Sequence, residues 1–217
     1  MPDFLATLRD RVLVLDGAFG TGVQARDLGP DDFGGPALEG CNEHLVLTRP
    51  DVIHDLHAGF FDVGCDAVET ATFGAFPLVL NEYDIADKTF AINEAAARIA
   101  REVASGYSTA ERPRFVVGSI GPGTRLPSLG AIGFADLRDG YEAQVDGLLA
   151  GGVDVLLVET VYDLLQAKAA LIACRRSMVR AGVDVPIMVQ VTMETTGRML
   201  VGSEIGAALT ALEAMRP

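Results

Sequence analysis

The sequence is poor in basic residues and in cysteine, and it contains no tryptophan. Lys and Arg total 17 against 30 Asp and Glu, which gives a net charge of −13. A chain this acidic offers no basic stripe to displace the counterions of phosphate groups, so we expect neither a nucleic acid nor an anionic membrane as partner. Three widely separated cysteines (Cys41, Cys65 and Cys174) make a poor disulfide framework. A reducing, cytoplasmic location is therefore expected.

Long apolar runs are absent as well. No run approaches the roughly 18 residues that a membrane-spanning helix needs, and the opening residues MPDFLATLRDR lack the apolar core of a signal peptide. Hydrophobic residues make up 49% of the chain and charged residues 22%, a balance typical of a globular protein. We therefore expect one globular unit over residues 1–217, complete in itself or part of a larger domain.

Short apolar stretches alternate with longer segments of helical periodicity. The predicted strands are Val12–Leu15, Asp66–Phe73, Arg114–Ile120, Val153–Thr160 and Pro186–Thr192. The predicted helices are Thr48–Asp62, Ile85–Ala104, Phe134–Ala150, Asp163–Ala181 and Ser203–Met215. The first strand, VLVL, is apolar throughout, which suits a strand buried on both faces. Strict alternation of strand and helix predicts an α/β fold with a parallel sheet.

Polar residues gather where the predicted strands end, and this favours a (βα)8 TIM-type barrel, whose active site lies at that rim. A doubly wound sheet is the alternative. However, the glycines of GAFGTG run G-x-x-G-x-G rather than in the dinucleotide-binding order. The chain supplies only about five of the eight βα units, which would leave apolar strand edges unpaired. We therefore expect it to be the first part of a barrel.

Two carboxylates stand out because each ends an apolar strand: Asp16 after VLVL and Glu159 after VLLV. A carboxylate there is costly to desolvate unless a cation or hydrogen-bond donors meet it. On one rim the pair would form an anionic pocket for an ammonium group, although capping by backbone amides is the simpler explanation for either acid alone. The glycine-rich turns at 17–22 and 118–123 could present N–H groups to a carboxylate or phosphate, but turn formation explains their glycines equally well.

The histidines and cysteines give no metal-binding pattern. His54 and His57 lie three residues apart on a predicted helix and are expected on its solvated face. The three cysteines lack C-x-x-C spacing and are expected to be packing residues.

Several segments, in order from Val12 to the end of the chain, resemble the N-terminal homocysteine-binding domain of cobalamin-dependent methionine synthases. They are DGAFGTGVQ, GCNEHLVLTRPDVI, ETATFGA, GSIGPGTRLPSLG, VETVYDLLQAKAA and QVTMETTGRMLVGSE. Other homocysteine S-methyltransferases share the fold and the opening aspartate. The resemblance implies a barrel that binds homocysteine for zinc-assisted methyl transfer from methylcobalamin, giving methionine. Cobalamin and methyltetrahydrofolate would bind other modules of the same enzyme.

The resemblance also implies roles for particular residues. Asp16 and Glu159 would hold the substrate ammonium group, and backbone amides near Gly17 to Phe19, Thr72 and Ser119 would line the carboxylate side. Ala71 stands where the family usually has Asn. The family's zinc cysteines lie beyond Pro217, so no metal ligand or catalytic residue is assigned here. We expect this chain to be truncated after the fifth βα unit and inactive alone.

Three alternatives remain open at this point. One is a cobalamin-independent homocysteine methyltransferase that uses betaine or S-methylmethionine as methyl donor. Another is a non-catalytic remnant that binds an amino acid. The third is a phosphate-binding barrel enzyme that uses the GSIGPG turn.

Overall fold

The computed structural model describes residues 3–217. Its β-strands are β1 (Ala67–Glu69), β2 (Phe115–Ile120), β3 (Val155–Val161) and β4 (Ile187–Val191). Its α-helices are α1 (Phe4–Asp10), α2 (Phe19–Gln24), α3 (Leu45–Thr48), α4 (Pro50–Asp62), α5 (Pro77–Leu80), α6 (Thr89–Tyr107), α7 (Phe134–Gly151), α8 (Leu164–Ala181) and α9 (Ile205–Glu213). Short 3₁₀ turns lie at Pro36–Leu38, Asn42–His44, Asn81–Tyr83, Ala86–Lys88 and Pro127–Leu129. No helix within residues 3–217 is both long and apolar enough to cross a bilayer.

The four strands form one parallel sheet in the order β1-β2-β3-β4. Consecutive strands are neighbours, and α6, α7 and α8 each connect one strand to the next. The prediction of an α/β fold with a parallel sheet is confirmed, and the four later predicted strands and their helices are found to within a few residues at each end. The irregular excursion between α2 and α3 carries two of the short 3₁₀ turns.

The first predicted strand differs from expectation. Residues 12–15 make a single parallel bridge, Leu15 with Ala67, rather than a regular strand. Val12 is 80% exposed and Val14 54% exposed, so the prediction that both faces of this segment are buried is wrong. The segment runs along the β1 edge of the sheet, where the carbonyl of Val14 accepts hydrogen bonds from the N–H groups of Asp66 and Ala67.

The sheet has two differently packed faces. Val116, Leu156 and Val158 belong to the large core that includes buried side chains of α6, α7 and α8. Side chains of the opposite, inner face form a smaller cluster with Phe4 of α1: Ala67, Phe115, Val117, Val155 and Leu157. Successive side chains of a strand point to opposite faces. The next inner-face positions toward the carboxyl ends of β1, β2 and β3 are therefore Glu69, Ser119 and Glu159.

A buried ion cluster lies at the other end of the sheet, around Asp66. The Asp66 side chain is 4% exposed, and its carboxylate lies 2.9 Å from Arg11, 3.5 Å from Arg114 and 3.7 Å from Arg112. The same carboxylate accepts a hydrogen bond from the N–H of Val14. Asp66 thus ties the edge segment to the amino ends of β1 and β2.

Candidate functional site

A cavity of about 400 Å³ opens at the carboxyl ends of the strands. The residues that line it are Asp16, Gly17, Ala18, Phe19, Gly20, Asn42, Glu43, Glu69, Thr70, Ala71, Thr72, Phe73, Ser119 and Glu159. All six residues named from the sequence as substrate-binding are among them: Asp16, Gly17, Phe19, Thr72, Ser119 and Glu159. The structure therefore brings these residues together around one space, although their roles remain predictions.

Asp16 sits where the edge segment meets β1. Its two carboxylate oxygens accept hydrogen bonds from the backbone N–H of Glu69, at 3.0 and 3.1 Å. Burial nevertheless raises the pKa of Asp16 to about 8, and the nearby charges of Glu69 and Glu159 add to the rise. The hydrogen bond from the Glu69 amide favours the ionised carboxylate. Loss of water and repulsion from two other acids disfavour it more strongly.

Glu159 lies at an irregularity in β3. The pairing of β3 with β4 shifts register between Val158 and Val161, and Thr160 has a positive φ of 56°. Such a bulge re-aims side chains at a sheet rim, and positive φ is uncommon for a β-branched residue. The Ser119 hydroxyl donates a hydrogen bond to the Glu159 carboxylate. Burial raises the pKa of Glu159 in spite of this bond.

Glu69 is a further acid of the cavity that the sequence analysis did not single out, as is Glu43. Burial raises the pKa of Glu69 to about 7, helped by the charge of Glu159. Among residues 3–217, no Arg, Lys or His nitrogen lies within 4.0 Å of the carboxylates of Asp16, Glu69 or Glu159. The sequence position of Glu69 could have identified it: Glu69 follows Ala67 by two residues and therefore lies on the inner face with the other acids. The cavity is anionic without an internal counter-ion in the described part of the chain.

A closed hydrogen-bond network forms the wall between β1 and β2. The Thr70 and Thr72 hydroxyls lie 2.6 Å apart, and the Thr72 hydroxyl donates to the carbonyl of Ser119. The amide of Ser119 donates to the Thr70 hydroxyl, and the amide of Thr72 donates to the carbonyl of Thr70. The amides of Thr72 and Ser119 are thus already engaged, which contradicts their expected availability to a substrate carboxylate. The buried side chain of Gln144 braces this wall by donating to the carbonyl of Thr72.

The turn before α2 provides unused amides to the same cavity. Within residues 3–217, the backbone N–H groups of Gly17, Ala18 and Phe19 have no backbone or side-chain acceptor. Helix α2 begins at Phe19, and the first N–H groups of a helix lack intrahelical partners. A ligand carboxylate at this turn would meet donors rather than acids.

The cysteines and histidines do not form a metal site. The three cysteines are free and buried, and no cluster of three His, Cys, Asp or Glu ligands suited to a metal occurs in residues 3–217. Burial raises the pKa of Cys41 to about 11 and of Cys174 to about 12, so both thiols are protonated at neutral pH. The residues present therefore do not fit a zinc ion.

One histidine prediction is wrong. His54 is exposed, as expected, but His57 is only 1% exposed and packs near the Phe19 ring, with ring centroids 6.4 Å apart. Burial lowers the pKa of His57 to about 4, so the imidazole is neutral at pH 7. Helical spacing alone did not reveal that this face of α4 meets α2.

Comparison with known proteins agrees with this geometry. The family model for homocysteine S-methyltransferase matches residues 13–217. The chain is 53% identical over 211 residues to the methionine synthase of Mycobacterium tuberculosis (strain ATCC 25618 / H37Rv) and 52% identical to that of Mycobacterium leprae (strain TN). Each match covers 97% of this chain but only 18% and 17% of the relatives, so the chain spans less than a fifth of their length.

Solved structures show the same fold. The metallated form of the homocysteine methyltransferase MmuM from Escherichia coli superposes with a TM-score of 0.78 at 18% identity, covering 97% of this chain and 74% of that one. Its apo form gives a TM-score of 0.71 at 20% identity. The sequence-based resemblance is confirmed, and the chain belongs to the homocysteine S-methyltransferase family.

Proposed function

We propose that this chain is the homocysteine-binding domain of a methionine synthase and binds homocysteine for methyl transfer to its sulfur, giving methionine. The observation that carries the proposal is the cavity at the strand ends. Its acids face no cation of the described chain, and the backbone donors of Gly17 to Phe19, which also line it, are unused. A small zwitterionic amino acid complements that arrangement. Family membership selects homocysteine among amino acids.

In this proposal Asp16 and Glu159 contact the substrate ammonium group. The N–H groups of Gly17 to Phe19 receive the carboxylate, and the Phe19 ring borders the apolar part of the side chain. Thr72 and Ser119 contribute through their side chains and through the network that holds the wall, since their amides are occupied. Substrate orientation would follow because the acids attract the ammonium group and the backbone donors attract the carboxylate.

The larger architecture is also a proposal. We infer that residues 1–217 form part of a (βα)8 barrel, with the edge segment at 12–15 as its first strand. In support, the sheet is parallel with consecutive strands adjacent, and the fold match covers three quarters of a homocysteine methyltransferase chain. The β4 edge pairs with no further strand within residues 3–217.

Zinc, cobalamin and methyltetrahydrofolate belong to the chemistry that the family implies. Since residues 3–217 do not fit a zinc site, no step of the proposal passes through a metal held by this part of the chain. We propose that the zinc ligands lie beyond Pro217 in the later units of the same barrel, and that cobalamin and methyltetrahydrofolate bind other modules of a longer enzyme. The contribution of the present residues is to bind and orient homocysteine.

The test is calorimetric titration of L-homocysteine into the purified full-length protein that carries this chain, comparing wild type with Glu159→Gln. Losing one charge-assisted contact is expected to weaken binding about 10–100-fold. The exposed Glu111→Gln variant makes the same charge change far from the cavity and should bind as wild type does. Homocysteine affinity unchanged by Glu159→Gln would remove this residue from the site, and no binding by wild type would refute the function.

A second candidate is a non-catalytic module that binds an amino acid, since the acidic cavity alone accounts for binding but not for methyl transfer. The two functions differ in a methyl-transfer assay with zinc, methylcobalamin and homocysteine supplied to the full-length protein. Methionine formation supports the methyltransferase. Homocysteine uptake without any methionine formation supports the binding module. Turnover with betaine or S-methylmethionine in place of cobalamin would identify the cobalamin-independent alternative.

A further inference from the structure

Besides Asp16 and Glu159, two further acids line the cavity: Glu43, whose carboxylate already accepts the amide of Gly74, and Glu69. Glu69 lies on the inner face at the end of β1, and its backbone N–H donates to both oxygens of Asp16. Its own carboxylate accepts no hydrogen bond from the described residues and forms no ion pair there. It therefore borders the cavity with unused acceptor capacity.

We propose that Glu69 is a third acidic contact for the substrate ammonium group, and that the empty cavity holds a proton among Asp16, Glu69 and Glu159 which the amino acid displaces on binding. This inference rests on the proposed function and specifies how its site recognises the amine. The proton leaves a carboxylic acid for solvent, and the incoming ammonium group takes its place as the positive partner.

The geometry makes three simultaneous negative charges unfavourable without a ligand. The three acids line one partly buried space, and the charge of Glu159 opposes the ionisation of both Asp16 and Glu69. Burial raises the pKa of each acid, to about 8 for Asp16 and about 7 for Glu69. An ammonium group bound among the three acids supplies the positive charge that offsets them.

The other titratable groups around the cavity do not supply that charge. Glu43 borders the cavity, but its carboxylate accepts the amide of Gly74, and burial raises its pKa. His57, behind Phe19, is neutral because burial lowers its pKa to about 4. Burial and the charge of Asp16 raise the pKa of the Cys65 thiol, which donates to the carbonyl of Leu15. No neighbouring side chain thus offsets the acids in place of a proton.

The experiment is calorimetry on the full-length protein at pH 6, 7 and 8, in phosphate and in MOPS, buffers that titrate near pH 7 and differ in ionisation enthalpy. The difference in apparent binding enthalpy gives the protons released. L-homocysteine is one ligand and L-2-aminobutyrate, which has no thiol, is the other, so that a thiol proton cannot be mistaken for a carboxyl proton. With L-2-aminobutyrate, wild type should release up to one proton, more at pH 6 than at pH 8, and affinity should fall as pH falls; any additional release with L-homocysteine comes from its thiol.

The Glu69→Gln variant should bind both ligands about tenfold or more weakly, with smaller proton release and a shallower pH dependence of affinity. Glu111→Gln is the charge-matched control. Wild-type affinity and wild-type proton release in Glu69→Gln would overturn the inference. If Glu69→Gln does not fold, the wild type alone tests the inference: binding by wild type without proton release would overturn it. Absence of homocysteine binding by wild type would instead refute the proposed function itself.

Discussion

At the scale of single residues, Asp16 shows how hydrogen bonding and desolvation compete. Both of its oxygens accept the amide of Glu69, which favours the ionised form, yet burial and two neighbouring acids raise its pKa to about 8. An aspartate in an unfolded chain titrates near pH 3.9. The folded protein therefore holds this proton over a pH range in which the unfolded chain has lost it.

This difference predicts a pH-dependent stability. Because the folded pKa of Asp16 is the higher one, its ionisation lowers the free energy of unfolding as pH rises from about 4 to about 8. In Asp16→Asn this decline should be smaller. Between pH 5 and pH 8, the free energy of unfolding of the variant should fall by on the order of 2 kcal/mol less than that of wild type. Urea unfolding at both pH values measures it, with the exposed Asp10→Asn as control. An identical pH slope in Asp16→Asn and wild type would contradict the prediction.

At the scale of elements, one buried aspartate joins three parts of the sheet. Asp66 precedes β1, accepts the amide of Val14 from the edge segment, and pairs with the buried Arg114 that precedes β2. Burial opposes its ionisation, but the hydrogen bond from Arg11 and the surrounding arginine charges hold the pKa of Asp66 below its usual value. The cluster fixes the amino end of the sheet while the opposite rim carries the acids.

Removal of the Asp66 charge should therefore be costly. Asp66→Asn leaves Arg114 buried without its counter-ion, and the free energy of unfolding at pH 7 should fall by about 3–5 kcal/mol. Asp139→Asn breaks a surface pair with Arg138 and should cost less than about 1 kcal/mol. Urea denaturation compares the two. Since the pKa of Asp66 is lowered by folding, its stabilisation should be lost in wild type as pH falls below about 4. Equal losses in the two variants would contradict this account.

At the scale of the whole molecule, the described chain leaves an apolar surface beside β4. Val189 and Val191 on β4, with Ile205 and Leu209 on α9, border a groove of about 520 Å³. Unpaired strand edges flanked by apolar side chains favour association between chains. This surface is the counterpart of the exposed edge segment at Val12 and Val14 on the other side of the sheet.

The 217-residue chain on its own should therefore self-associate as its concentration rises. Leu209→Lys places a charge in the groove and should shift the equilibrium toward monomer by about tenfold or more. Leu129→Lys, at another exposed apolar residue, is the control and should behave as wild type does. Sedimentation velocity over a concentration series measures the effect. A wild-type chain that stays monomeric throughout would contradict the prediction.

Much of the architecture could be inferred from the sequence because its signals are local. The α6, α7 and α8 segments carry helical periodicity, the strands between them are short apolar runs, and their alternation implies a parallel sheet. Asp16 and Glu159 stood out for the same reason, since each follows directly on an apolar run. The many family segments in order then indicated homocysteine chemistry, and the family assignment is confirmed.

What the sequence determined by itself was the order and type of the elements and the family, because periodicity and motifs are properties of neighbouring residues. Four features became visible only once the chain was folded: residues 12–15 lie at an edge, His57 is buried, the amide of Glu69 binds Asp16, and the amides of Thr72 and Ser119 are engaged. Each of these depends on which distant segment lies alongside. An apolar run has the same sequence in the middle of a sheet as at its edge, and the difference arises when the chain packs.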